Sequence, residues 1–221
     1  MIMEPKQLAG LLLEGREDGV IEQFKEIENK YSRLSLYEDF ITPAMYYIGE
    51  LWEENEITVA DEHLATAVCD FALSRTMEQK YRQADEDLPV KKKAMLFSVE
   101  GEQHYIGMKM AAALFRDKGW SVRYHGPDLP LDHALAAIKQ WKPDVVSLSA
   151  ALSYRLPAVK EYIAKISNGE YKPLILVGGR MAKKYGLSSF QKDDVIIIRD
   201  LRSLQYWLDD CKGGRNNANS S

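Results

Sequence analysis

The chain has 221 residues, 46% hydrophobic, 10% aromatic and 28% charged. That balance suits a folded protein of one large or two small domains and excludes wholesale disorder. The net charge of −4 is unevenly divided: residues 1–88 carry 8 Lys/Arg against 20 Asp/Glu, and residues 89–221 carry 21 against 13. The acidic first half would be repelled by phosphate backbones, so no direct nucleic-acid binding is expected.

In chain order, the first half reads as helices only. Lys6–Leu13 is a short apolar helix, and Asp18 is placed to cap a second helix over Gly19–Tyr31, where Phe24, Ile27 and Tyr31 form one stripe. Leu36–Glu54 is the third, with Ile41, Met45, Ile48 and Trp52 on a shared face. Pro43 inside it bends the helix or marks its true start. Thr58 opens a long fourth helix from Val59 to about Gln83. Four helices with short connections predict a compact bundle.

Ala84–Pro89 breaks this periodicity and predicts a domain boundary after residue 88. The Lys91-Lys92-Lys93 run then reads as a solvated strand flank. Beyond it, apolar runs at Ala94–Val99, Ser121–Tyr124, Val145–Ser149, Leu174–Val177 and Val195–Ile198 predict strands. Amphipathic stretches at Tyr105–Lys118, Leu131–Lys139, Ala158–Ser167, Met181–Tyr185 and Leu201–Asp210 predict the helices between and after them. Alternation of this kind makes an α/β domain over residues 89–213, a five-stranded parallel sheet with helices on both faces. Residues 214–221 have nothing to bury and are expected to fray as a disordered tail.

No apolar run reaches the roughly 18 residues that cross a bilayer, and the N-terminus lacks a secretory layout. Two cysteines, Cys69 and Cys211, are too few for a disulfide framework or a cysteine metal cage. A cytoplasmic protein with no membrane contact is expected. There is no GxGxxG and no GxxxxGK[ST], so the usual phosphate cradles are missing, and no grouping suits nucleophilic catalysis. A binding module is the expectation, not an enzyme.

Open parallel sheets bind ligands at the carboxyl ends of their strands. Glu102, His104 and Gly107 follow the first strand, Ser149 and Ser153 follow the third, and Gly178-Gly179 follow the fourth. A carboxylate that accepts one imidazole N–H orients the ring and makes its other nitrogen a better metal donor. His104, two residues after Glu102, is the candidate such a pair offers, although an isolated E-x-H reads first as a solvated loop histidine beside a helix-capping glutamate. His125 and His133 have no metal-ligand spacing with His104 or His63, so zinc is not expected.

The segment Glu102-x-His104-x-x-Gly107 resembles the D-x-H-x-x-G signature of cobalamin-binding domains. Ser149 resembles the serine of that family's S-x-L element, Gly178-Gly179 its G-G element, and Tyr124–Pro130, with Gly126, the loop after its second strand. Two departures are visible: Glu102 replaces an aspartate, and Ala151 stands where S-x-L has leucine. The resemblance implies a flavodoxin-like or Rossmann-like domain. It also implies cobalamin bound base-off, with His104 as lower cobalt ligand, while Ser149, Ser153 and the glycines make room for the displaced nucleotide tail.

The first half is similar to methionine-synthase-like helical cap domains around Pro43–Trp52. The spacing from Trp52 to Glu62-His63 resembles CarH-type adenosylcobalamin light sensors, which implies that Trp52, Val59, Glu62 and His63 line the upper face of the corrin. In those sensors the residue after the tryptophan is usually a histidine that captures cobalt. Here it is Glu53, so either His63 takes that role as the upper-face metal candidate or no bis-histidine photoproduct forms. The cap starts almost at residue 1, without the DNA-binding module of CarH-type repressors. The resemblance thus implies a cobalamin-dependent sensor or photoreceptor, with adenosylcobalamin as cofactor and output through a homo-oligomer or a partner regulatory protein. The alternative it implies is a corrinoid methyl carrier binding methylcobalamin, whose partners are methyltransferases.

Overall fold

In the computed structural model, residues 3–81, 92–185, 187 and 190–213 are described. The predicted boundary at Ala84–Pro89, Lys91, the end of the fourth helix at Gln83 and the tail at 214–221 lie outside them. Contacts divide the chain into two units, Met1–Leu88 and Pro89–Ser221.

The first unit is built from α1 (Pro5–Leu13), α2 (Glu17–Lys30), a single turn α3 (Arg33–Ser35), α4 (Thr42–Glu53) and α5 (Val59–Tyr81). Helix α2 starts earlier than expected: Glu17 and Asp18 both lie in its first turn, with Arg16 at the cap position. Asp18 therefore stabilises the helix through the dipole and not as its cap. Phe24 and Ile27 are buried, but Tyr31 ends the helix and is 44% exposed. The expected third helix divides in two. Leu36–Ile41 is wound as a π-helix, and α4 begins at Thr42 with Pro43 in its first turn. Proline has no N–H and its ring crowds the carbonyl four residues back, so the preceding turn widens. Ile41 and Ile48 are buried in the bundle while Trp52 is not. At the start of α5, the Thr58 hydroxyl and N–H both donate to Asp61 Oδ2, at 2.6 and 2.8 Å, and Asp61 N–H returns a bond to Thr58 Oγ1 at 3.3 Å. This reciprocal cap sets where the helix begins.

The second unit is a parallel sheet of β1 (Lys93–Val99), β2 (Ser121–Leu129), β3 (Val145–Ser149), β4 (Leu174–Gly178) and β5 (Val195–Ile197), in the order β2-β1-β3-β4-β5. The helices are α6 (Ile106–Asp117), α7 (Leu131–Trp141), α8 (Leu156–Ser167), α9 (Arg180–Tyr185) and α10 (Leu201–Gly213). The inner strands β1 and β3 are covered on both faces, which is why they read as continuous apolar runs. Met95, Phe97 and Val99 share one core with Ala134 and Ile138 of α7, Val159 and Ile163 of α8 and Ala182 of α9. Helix α6 packs on β1 and β2. There Phe115 meets Trp120 edge-on at 5.2 Å, next to Trp207 of α10, and Lys118 pairs with Asp209.

Two expectations for this unit need correction. Lys93 belongs to β1 itself, and its ammonium reaches the Trp141 carbonyl at 3.2 Å. Strand β2 continues past Tyr124 to Leu129. Gly126, Pro127 and Asp128 are turn-forming residues, and the strand absorbs them through two register shifts against β1, with positive φ at Gly126 and Asp128. Among the described residues no helix is long and apolar enough to cross a membrane.

Phe115 is fully buried, so Phe115→Ala should destabilise the sheet unit by about 3–5 kcal/mol, read as a lower urea midpoint in tryptophan fluorescence.

Candidate cobalt-binding site

In the order 2-1-3-4-5 the chain leaves β1 toward one side of the sheet and returns to β3 on the other. The loops after β1 and β3 therefore diverge at the switch point, where this topology offers a crevice. Glu102 and His104 lie in the first of these loops. The Glu102 side chain is fully buried, whereas that of His104 is 56% exposed. His104 Nδ1 stands 2.6 Å from Glu102 Oε1. The same oxygen accepts the His104 backbone N–H at 2.9 Å, and Oε2 accepts the Ala151 N–H at 2.7 Å.

Burial pushes the Glu102 carboxyl up, but the bonds from the His104 ring, the His104 backbone and the Ala151 backbone outweigh it, and its pKa lies below the usual carboxylate value. The group is therefore a carboxylate at neutral pH and can only accept. That places the imidazole proton on Nδ1 and makes Nε2 the electron-pair donor. A buried charge is tolerated here because three N–H groups solvate it.

Ser149 is buried, with its Oγ 3.2 Å from Ser98 Oγ, and Ser98 Oγ stands 3.4 Å from the His104 carbonyl. Ser153 is exposed in the turn before α8. Gly107 lies in the first turn of α6, and a Cβ at Gly107 or Gly126 would meet open space. Gly178 pairs with Ser149, and a Cβ there would touch only the Ile198 carbonyl at 3.7 Å. Gly179 differs. Its φ is +100°, and a Cβ would stand 2.6 Å from the Ala150 carbonyl, so the close approach that demands glycine is made by the protein's own backbone. His125 and His133 are both exposed.

In the helical unit, Trp52 sits in the last turn of α4 and is 48% exposed, and Val59, which opens α5, is 55% exposed. Glu62 is half-buried. Its Oε1 accepts the Thr66 hydroxyl at 3.1 Å, and Oε2 lies 3.7 Å from His63 Nε2. The His63 side chain is 76% exposed. Val59, Glu62, His63 and Thr66 follow one another at helical spacing on one side of α5.

Sequence reasoning missed several groups. The Ala151 N–H is invisible because any residue supplies it, and the Ser98 hydroxyl hides in an apolar run. Asp128 was within the quoted stretch but not singled out. Its Oδ1 accepts the Gly101 N–H at 2.6 Å, and its own N–H donates to the Glu102 carbonyl at 3.1 Å.

A carboxylate-held imidazole stands at the switch point of a parallel sheet, in a chain whose first unit is helical. An oriented imidazole is a donor of the kind that suits cobalt in a corrin, and a Cβ at Gly107 would meet nothing within 4 Å. Residues 92–200 match a family described as a B12 binding domain, and residues 6–76 match a second family with the same description. The chain thus belongs to the B12-binding families: it is a cobalamin-binding protein with a helical cap and a Rossmann-like domain. It is 25% identical over 180 residues to a methanol–corrinoid protein of Methanosarcina barkeri, covering 80% of this chain and 68% of that one. It is 24% identical over 153 residues to the transcriptional repressor CarH of Myxococcus xanthus, covering 69% of this chain and 49% of the repressor. In fold it resembles the monomethylamine corrinoid protein of Methanosarcina barkeri, with a TM-score of 0.71, 16% identity, and 92% and 96% of the two chains covered.

Glu102→Gln sets an amide N–H against one of the three donors now bound by the carboxylate. It should cost about 1–3 kcal/mol in urea unfolding of the cofactor-free protein and shift the His104 ring resonances in NMR.

Proposed function

We propose that the chain holds cobalamin base-off on His104 and acts as a sensor of the cofactor's upper ligand, with adenosylcobalamin as the form recognised. When bound, the cofactor supplies a cobalt–carbon bond that light or reduction can break. The chain's own residues do the rest. Glu102 keeps the His104 proton on Nδ1 and so keeps Nε2 available to cobalt. Ser149, Ser153, Gly178 and Gly179 line the rim of the sheet on the side of the displaced nucleotide tail, with Gly107 and Gly126 leaving space beside it.

The observation that carries the sensor reading is the cap surface of Trp52, Val59, Glu62 and His63. Two large apolar groups about half exposed stand in the same unit as a half-buried carboxylate already oriented by Thr66. An aromatic plane and a fixed acceptor suit an adenosyl group, which offers a purine face for stacking and ribose hydroxyls as donors. Loss of that group removes the contact and shifts the population of cap states, by no more than the difference in affinity between them. The output then passes to a second copy of the chain or to a partner regulatory protein. His63, with its exposed ring, is the candidate to approach cobalt once the upper group has gone.

A second reading, a methyl carrier serving methyltransferases, is favoured by the match to a methanol–corrinoid protein over most of both chains. Absorbance spectra and gel filtration with adenosyl- and methylcobalamin, in the dark and after green light, separate the two. The sensor reading expects a base-off spectrum with adenosylcobalamin and a light-dependent change in both spectrum and elution volume. Methylcobalamin binding with an unchanged elution volume would support the carrier. His104→Ala should abolish histidine ligation, and an unaltered spectrum of bound cofactor would overturn the base-off assignment.

A further inference from the structure

The loop carrying Glu102 and His104 belongs to no helix or strand, yet four N–H groups between Glu100 and His104 have acceptors. Glu102 N–H donates to the Val99 carbonyl at 3.0 Å, Gly101 N–H to Asp128, and His104 N–H to Glu102. The Glu100 N–H, where the chain leaves β1, donates to the hydroxyl oxygen of Tyr162 at 3.2 Å. Tyr162 comes from the middle of α8, 62 positions further along the chain. It is 2% exposed, with its ring tilted against Phe97 at 6.1 Å. Its own proton goes to the Leu129 carbonyl at 2.6 Å. One phenol oxygen thus uses its acceptor capacity on the first residue after β1 and its donor capacity on the last residue of β2. The β1–β2 pairing is irregular at this end, with register shifts after Leu96 and Phe97 before Val99 pairs with Leu129. The Tyr162 hydroxyl adds a side-chain link from α8 to both strand ends.

We propose that Tyr162 is a positioning residue for the lower cobalt ligand: its hydroxyl fixes where residues 100–104 leave the sheet, and through them where the His104 imidazole stands. This rests on the base-off reading above. Tyr162 bonds to the backbone at Glu100 and Leu129, and acts through the loop backbone.

The test compares the unaltered protein with Tyr162→Phe, Phe97→Leu and His104→Ala. Each is labelled with ¹⁵N-histidine and loaded with cobalt(II) cobalamin, and both affinity and the nitrogen splitting of the cobalt electron-resonance signal are measured. Tyr162→Phe keeps the ring, so the cofactor-free protein should still fold. It should bind about fivefold more weakly, with a smaller share of the signal split by histidine nitrogen. Phe97→Leu loosens the same core with the hydroxyl intact and should keep the full split signal. The positioning role is overturned if Tyr162→Phe retains the full split signal, whatever its affinity, or if Phe97→Leu loses as much of it. In either case splitting that is present in the unaltered protein and lost in His104→Ala leaves the base-off reading standing. Absence of histidine splitting in the unaltered protein overturns both.

Discussion

The bond between Glu102 and His104 is the constraint on which the rest of the molecule turns. A carboxylate with no exposed surface must be solvated by the protein, and here one ring nitrogen and two backbone N–H groups do it. Because one of those N–H groups belongs to Ala151, the loops after β1 and β3 are tied together across the point where the strand order reverses. The ring is thereby given one tautomer and one orientation while more than half of it stays in solvent. A side chain held in this way is preorganised, so little ordering would be left for any group that binds it.

Much of the fold was legible because its signals are local. The inner strands show as apolar runs, since burial on both faces leaves no polar alternation, and the helices show as periodic stripes. Pro43 marks the true start of α4, one of the two outcomes its chemistry allows. The Gly126-Pro127-Asp128 run reads as a loop by local preference, whereas in the folded chain it continues β2 as a bulged strand. Tertiary pairing overrides local preference there.

The site was legible to the same depth. Glu102 and His104 stand two residues apart, so their bond lies within the reach of a motif. Gly179 was noticed, but its physical demand comes from the Ala150 carbonyl, which no spacing reveals. Asp128 and Tyr162 bond to the loop from 27 and 62 positions away. Their side chains are ordinary, and only the folded chain brings them to the backbone they serve.

The bulged end of β2 has an effect of another kind. This strand is the outer edge of the sheet, paired on one side only, and a regular edge offers a row of amide groups to any passing extended chain. Pro127 withdraws one of those amides, and the positive φ at Gly126 and Asp128 breaks the regular extended backbone on either side of it. This end of the strand is thus a poor template for strand addition, and the feature that blunts it lies in the segment that also bonds to the Glu102–His104 loop.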